Sequence, residues 1–174
     1  MDLFGIALIL YFIKEQFTYE RPTWFGYWFL PLYTVGMMLI SFSYQWQNMP
    51  TFLTLLVIGS LIGGFQGRTA KFKDYLSVGG QLRTQVRGGG VYLLGWLLIL
   101  VIQLIVDLLL LHQTISSTRF GKELVGTVMD DLFPWLAFGS SQAWPLWTLA
   151  ASSTIIYTLT LQLRSPVFQA TTET

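Results

Sequence analysis

The stretch Val91–Leu111, VYLLGWLLILVIQLIVDLLLL, decides the fold. Its 21 residues hold one charged side chain, Asp107. Coiled as an α-helix at about 1.5 Å per residue they reach about 31 Å, the thickness of a bilayer's hydrocarbon core. A soluble helix would carry a polar stripe for water, and Gln103 and Asp107 are too few to make one.

The rest of the chain agrees. Hydrophobic residues make up 53% of its 174 positions, and mean hydropathy is +0.55. Charged residues reach 11%, against about 25% in soluble domains. Ten basic and nine acidic side chains cannot coat a globule of this size. Disordered chains are polar and poor in aromatics, whereas aromatics make up 16% here. A net charge of +1 supplies no concentrated basic face for nucleic acid. With no cysteine, disulfides, thiol catalysis and Cys-ligated metal or iron–sulfur clusters drop out. The expected fold class is all-α: an integral membrane helical bundle in a single domain, residues 1–174.

Further apolar stretches give about five spans, over residues 2–19, 24–42, 51–67, 91–111 and 144–163. Pro31 falls inside the second, where a membrane helix tolerates it. Pro50 precedes the third, a position that suits proline. The first span must run through Lys14 and Glu15, with their side chains reaching back to the surface. A cleaved signal peptide fits it poorly, because no basic region precedes the apolar stretch and no small-residue cleavage site follows.

Basic residues orient the spans. Lys14, Arg21, Arg68, Lys71, Lys73, Arg83, Arg87 and Arg164 fall on one side, and Arg119 and Lys122 on the other. The split puts the N-terminus outside and the C-terminus in the cytoplasm. Aromatic belts follow the same map, with Trp24, Tyr27 and Trp28 at the inner interface and Tyr44, Trp46, Trp135, Trp144 and Trp147 at the outer one.

The cytoplasmic loop 66–90 holds Arg68, Lys71, Lys73, Arg83 and Arg87 against the single Asp74. Gly79-Gly80 between two short polar–apolar runs suggests a β-hairpin, with two helical turns as the alternative. Functionally the loop reads as a docking surface for an acidic partner or for anionic lipid headgroups; otherwise it is a topology signal and nothing more. On the outer side, Phe120, Leu124, Val128 and Leu132 form one apolar stripe that Pro134 ends. Residues 118–133 are expected to form an amphipathic helix on the outer membrane surface. Asp130 and Asp131 oppose its dipole, which makes them candidates for an external contact.

Gly59, Gly63 and Gly67 recur every four residues on the third span, a stripe that admits backbone-to-backbone helix packing within the chain or against a second copy. Gln103 and Asp107 lie one turn apart on the fourth span. A mid-bilayer carboxylate costs roughly 2.5–3.5 kcal/mol, so the pair reads as a proton- or cation-linked path, or as a side chain near the helix end that reaches the headgroups. His112 alone makes one axial haem ligand with no obvious second. Glu123, Asp130 and Asp131 lack a Ca²⁺-loop signature. The sequence has no GxSxG, Walker or HExxH element, and Gly88-Gly89-Gly90 lacks the lysine of a phosphate loop. No catalytic residue, metal or cofactor is assigned.

A glycine-striped helix running into Gly67-Arg68-Thr69-Ala70-Lys71, a Gly-Gly turn, Arg87-Gly88-Gly89 and a long span with Trp96 resembles the CcdC-like small multi-pass membrane proteins of bacteria. The likeness covers about a quarter of the chain and marks Gly67, Arg68 and Lys71 without giving them a role. It implies a bacterial plasma-membrane protein of accessory type, in a group named for its association with cytochrome c maturation. The expected function is accordingly a non-enzymatic accessory or regulatory membrane protein acting through lipids, a protein partner or a homo-oligomer. The alternatives are a small oligomeric proton- or cation-linked transporter or channel using Gln103 and Asp107, and a membrane-embedded lipid-modifying enzyme.

Overall fold

The structure, a computed structural model, describes residues 14, 16–19, 22–42, 46–76, 82–110 and 144–172. In chain order these form α1 (Trp24–Ser41), a 3-10 turn (Trp46–Asn48), α2 (Met49–Thr69), β1 (Lys71–Leu76), β2 (Leu82–Arg87), α3 (Gly89–Leu110), α4 (Trp144–Arg164) and α5 (Pro166–Thr172). The chain is mostly helical. Among the described residues, Trp46–Thr69 and Gly89–Val106 are the two helical stretches long and apolar enough to cross a membrane. Residues 118–133, including Asp130 and Asp131, lie outside the described residues, as do His112 and Glu123.

The expectation of an all-α chain is corrected by β1 and β2, which pair antiparallel from Lys71↔Arg87 to Leu76↔Leu82. The reason is local. LRTQVR alternates apolar and polar side chains with period two, and KFKDYL does so only over Lys71-Phe72-Lys73; period two buries one face of a strand and no face of a helix. The connection between α2 and α3 is therefore shorter than the 66–90 loop. Helix α2 runs on to Thr69, and α3 begins at Gly89, whose φ of +67° falls in the left-handed region open to glycine.

Helix α4 is the centre of the bundle and packs against α1, α2 and α3. It is the most polar of the long helices, yet Thr148, Ser152, Ser153, Thr154 and Thr158 are all buried. Thr148, Ser152 and Thr154 donate to carbonyls one turn back, at 2.8, 2.8 and 2.7 Å. Such bonds satisfy a buried hydroxyl while keeping the side chain short, which lets neighbouring helices come close. On α2, Leu53, Val57, Leu61 and Phe65 form an exposed stripe at four-residue spacing. On α3, Leu94, Leu97, Leu98, Val101 and Ile105 are exposed too. The described bundle thus buries the small and hydroxyl-bearing residues of α4 beside Leu55, Ile99 and Leu149, while α2 and α3 present large apolar side chains outward.

Trp144 and Trp147 differ from the expected outer belt. Both are buried: Trp144 meets Phe42 edge-on at 5.5 Å, and Trp147 meets Tyr33 edge-on at 5.8 Å. With Phe42 and Phe52, Trp144 closes one end of the core around Leu55, Ile99 and Leu149.

Candidate functional site

The alternation within the hairpin sorts its side chains. Lys71, Lys73, Tyr75, Arg83, Gln85 and Arg87 share one face, and Phe72, Asp74, Leu76, Leu82, Thr84 and Val86 share the other. Phe72 and Val86 pack on α5 through Phe168, which is fully buried with Ala70 and Leu161. Helix α5 is set in place by Ser165, whose hydroxyl accepts from the Phe168 N–H at 3.1 Å. The opposite face carries four cations and no carboxylate, because Asp74, the one acid among the described hairpin residues, lies on the underside.

Two aromatic rings lie against these cations. The Arg87 guanidinium is 5.5 Å from the Phe17 ring centroid and 5.8 Å from that of Tyr19. The Lys73 ammonium is also 5.8 Å from Tyr19. Such contacts orient a cation without neutralising it. Arg68 stands apart from the hairpin face, exposed in the last turn of α2.

The hairpin is anchored by a residue that sequence reading assigned only to the charge count. The Arg164 Nη1 donates to the carbonyls of Gly67, Arg68 and Ala70 at 2.7, 2.6 and 3.1 Å, and its guanidinium stacks over Phe72 at 5.2 Å. It thereby caps the C-terminal end of α2, where orphan carbonyls and the helix dipole both favour a cation. The sequence signal was a lone arginine closing a long apolar stretch; its partners, almost a hundred residues away, carried none.

Gly59, Gly63 and Gly67 face α4 of the same chain. A Cβ on Gly59 would collide with the Ser152 hydroxyl, one on Gly63 with the Ser153 carbonyl, and one on Gly67 would come within 2.6 Å of Thr160 Cβ. One residue short of Gly67 lies Gln66, which sequence reading missed. It is buried, donates from Nε2 to the Tyr92 carbonyl at 2.8 Å, and accepts from the Ser153 hydroxyl at 3.1 Å. Gly95 makes room for this amide, since a Cβ there would overlap Gln66 Nε2. Gln66 thus ties α2, α3 and α4 together. A polar residue one turn beyond two glycines in an apolar span was the available signal.

Gln103 is buried at 4% exposure, one turn beyond the fully buried Ile99 on the same face of α3. Asp107 lies on α3, and its side chain is outside the described residues. Neither joins the hairpin: Gln103 is eleven residues from Tyr92 at the start of α3, about 16 Å along the axis.

A cavity of about 270 Å³ opens between the first turns of α1 and α3, the α4 residues Thr154–Thr158, and the end of β2. Its walls include Gln16, Thr18, Tyr27, Tyr92, Tyr157 and Thr158, and among the described residues no charged side chain lines it. Pro31, also in the wall, has no N–H to give to the Tyr27 carbonyl; the Thr158 hydroxyl reaches that oxygen at 3.5 Å. Among the described residues no group of three or more His, Cys, Asp or Glu could hold a metal.

No protein-family model, curated protein or solved structure matches this chain.

Proposed function

We propose that this chain is a multi-pass integral membrane protein of accessory, non-enzymatic type, and that its basic hairpin holds anionic phospholipid headgroups. One observation carries the reading. Lys71, Lys73, Arg83 and Arg87 share a strand-pair face that begins two residues after α2 and ends two residues before α3. If α2 and α3 cross the bilayer, that face lies at headgroup level, where each basic residue contributes about 1 kcal/mol of attraction to an anionic surface. The outward apolar stripes of α2 and α3 support the membrane setting. The charge distribution supports a cytoplasmic hairpin, hence an N-terminus outside in a five-span bacterial plasma-membrane protein. The CcdC-like stretch supports the accessory role.

Two measurements test this. The full chain, purified in detergent and exposed to mixed lipids, should retain phosphatidylglycerol and phosphatidylserine over phosphatidylcholine by native mass spectrometry. Replacing all four cations by Gln should lower that preference at least tenfold. Equal retention by the unaltered chain would end the lipid reading, and would leave an acidic protein surface as the partner to seek. In sealed cells, an impermeant amine reagent should spare Lys71 and Lys73 and modify them only after lysis; modification before lysis would invert the orientation.

The transporter reading keeps one observation in its favour, the burial of Gln103. Asp107→Asn should abolish flux in a reconstituted transporter and leave an accessory protein unaffected.

A further inference from the structure

We infer that the end of the hairpin joined to α2 and α3 holds a terminal phosphomonoester, and that the lipid it selects among anionic phospholipids is phosphatidic acid. The inference rests on the basic-face reading above and names the headgroup chemistry of that same site.

The cations of the upper face are not evenly spread. Lys71 stands directly across from Arg87, and Lys73 is the next residue of β1 on that face. Side chains opposite one another in an antiparallel pair have Cβ atoms about 4.5–5.5 Å apart, and diagonal neighbours about 7–8 Å. The Lys73 ammonium and the Arg87 guanidinium each lie 5.8 Å from the Tyr19 ring centroid, so both converge on one ring. Arg83 lies across from Tyr75, about 14 Å along the strand from Arg87 at about 3.4 Å per residue. Three charges thus gather at one end of the hairpin and one stands off. The crowded end is two residues from Thr69 of α2 and two from Gly89 of α3. On the membrane reading above, it is the end nearest the bilayer.

The ligand that suits this end is one whose charge is equally concentrated. Among the described residues no carboxylate shares the upper face, because Asp74 lies on the other. Contact with the Phe17 and Tyr19 rings engages the face of the Arg87 guanidinium and leaves the N–H groups in its plane for a ligand. A phosphodiester headgroup offers a single negative charge. A phosphomonoester carries about −1.5 to −2 at pH 7 and three strong acceptor oxygens, a match for three clustered cations. Lys71 and Arg87 repel each other across the strand pair, and the more highly charged anion relieves more of that repulsion. In phosphatidic acid nothing is attached beyond the phosphate, so its terminal oxygens meet the hairpin unobstructed. Cardiolipin reaches a similar total charge but divides it between two diesters.

The test is a competition on the full chain in detergent, with phosphatidic acid, phosphatidylglycerol and cardiolipin at equal concentration and bound lipid counted by native mass spectrometry. Phosphatidic acid should be retained at least fivefold over each of the others. Lys71→Gln and Lys73→Gln, both at exposed positions, should each bring that ratio towards one. Arg83→Gln removes the same charge from the far end and should leave the ratio unchanged. A hundredfold excess of glycerol 3-phosphate, a soluble monoester, should not displace the lipid. Phosphatidylglycerol or cardiolipin retained as well as phosphatidic acid would overturn the monoester site and leave the basic-face reading standing. Failure to retain any of the three over phosphatidylcholine would overturn both. An equal fall in all three variants would spread binding over the whole face and overturn the placement. Displacement by glycerol 3-phosphate would make a soluble phosphomonoester the ligand and overturn the lipid assignment.

Discussion

Gly63→Ala and Gly64→Ala differ by one position and should differ in sign. On Gly63 the new methyl would overlap the Ser153 carbonyl and lie 2.8 Å from Ser153 Cα. Comfortable carbon–carbon separation is about 3.5–4.0 Å, so α2 and α4 must part by about 1 Å. A gap of that size forfeits roughly a quarter to a half of each dispersion contact it touches, and Gly59 and Gly67 lie on the same seam. Overpacking of this kind costs about 1–3 kcal/mol. On Gly64 the methyl would rest 3.6 Å from Ile156 Cγ2, an ordinary contact. Alanine's helix propensity favours both variants by about 1 kcal/mol over glycine. That term cancels in the comparison, so the gap between the variants isolates the collision.

The assay is equilibrium unfolding in mixed micelles, with helicity followed by circular dichroism as denaturing detergent replaces the mild one. Gly64→Ala should match or exceed the unaltered chain. Gly63→Ala should fall below Gly64→Ala by about 1–3 kcal/mol, near tenfold or more in the unfolding constant. Equal stabilities would refute the packing argument. So would a Gly63→Ala variant of unchanged stability that no longer self-associates, because the stripe would then face a second copy.

Gln66→Leu should cost about 1–2 kcal/mol, since it removes the donor to Tyr92 and leaves Ser153 without its acceptor. In a double-mutant cycle with Ser153→Ala the two losses should overlap by at least 0.5 kcal/mol in order of magnitude, and strict additivity would break the proposed link. Arg164→Leu should remove both the charge and the Nη1 donor that reaches three carbonyls; amide exchange in residues 67–72 should accelerate, while residues 52–60 of the same helix stay unchanged.

Hydropathy made the helix positions legible because each long helix is an apolar run stopped by proline, glycine or charge. Helices α1, α2, α3 and α4 begin at Trp24, Met49, Gly89 and Trp144, within two residues of where Pro50, the glycine run and the tryptophans mark them. The hairpin was half legible. Its Gly-Gly centre and polar–apolar alternation were visible, but the register depends on which side chains find Phe168. Partnership was the part the sequence could not disclose. Nothing near Gly63 points to Ser153, ninety positions later, and nothing near Arg164 points to the end of α2. Trp144 and Trp147 follow the same rule: an aromatic at a helix end serves a headgroup belt or a core equally well, and Phe42 and Tyr33 decide it.

The same distinction bears on whether the basic loop is only a topology signal. Orientation by positive charge depends on how many Lys and Arg residues a loop carries, and not on their order. Four cations scattered over both faces of β1 and β2 would orient the helices as well. Part of the observed sorting follows from packing, because the underside must be apolar where it meets α5 and polar residues are left to the upper face. Packing alone, however, does not choose among polar residues. Of the six upper positions four are basic, Tyr75 and Gln85 complete the set, and Asp74 sits on the other side. Mutual repulsion among Lys71, Lys73, Arg83 and Arg87 opposes this arrangement, most of all for Lys71 directly across from Arg87, since like charges opposite one another destabilise a strand pair. A hairpin selected for stability would interleave acids there. One that holds an anion at the membrane surface gains that repulsion back when the anion binds.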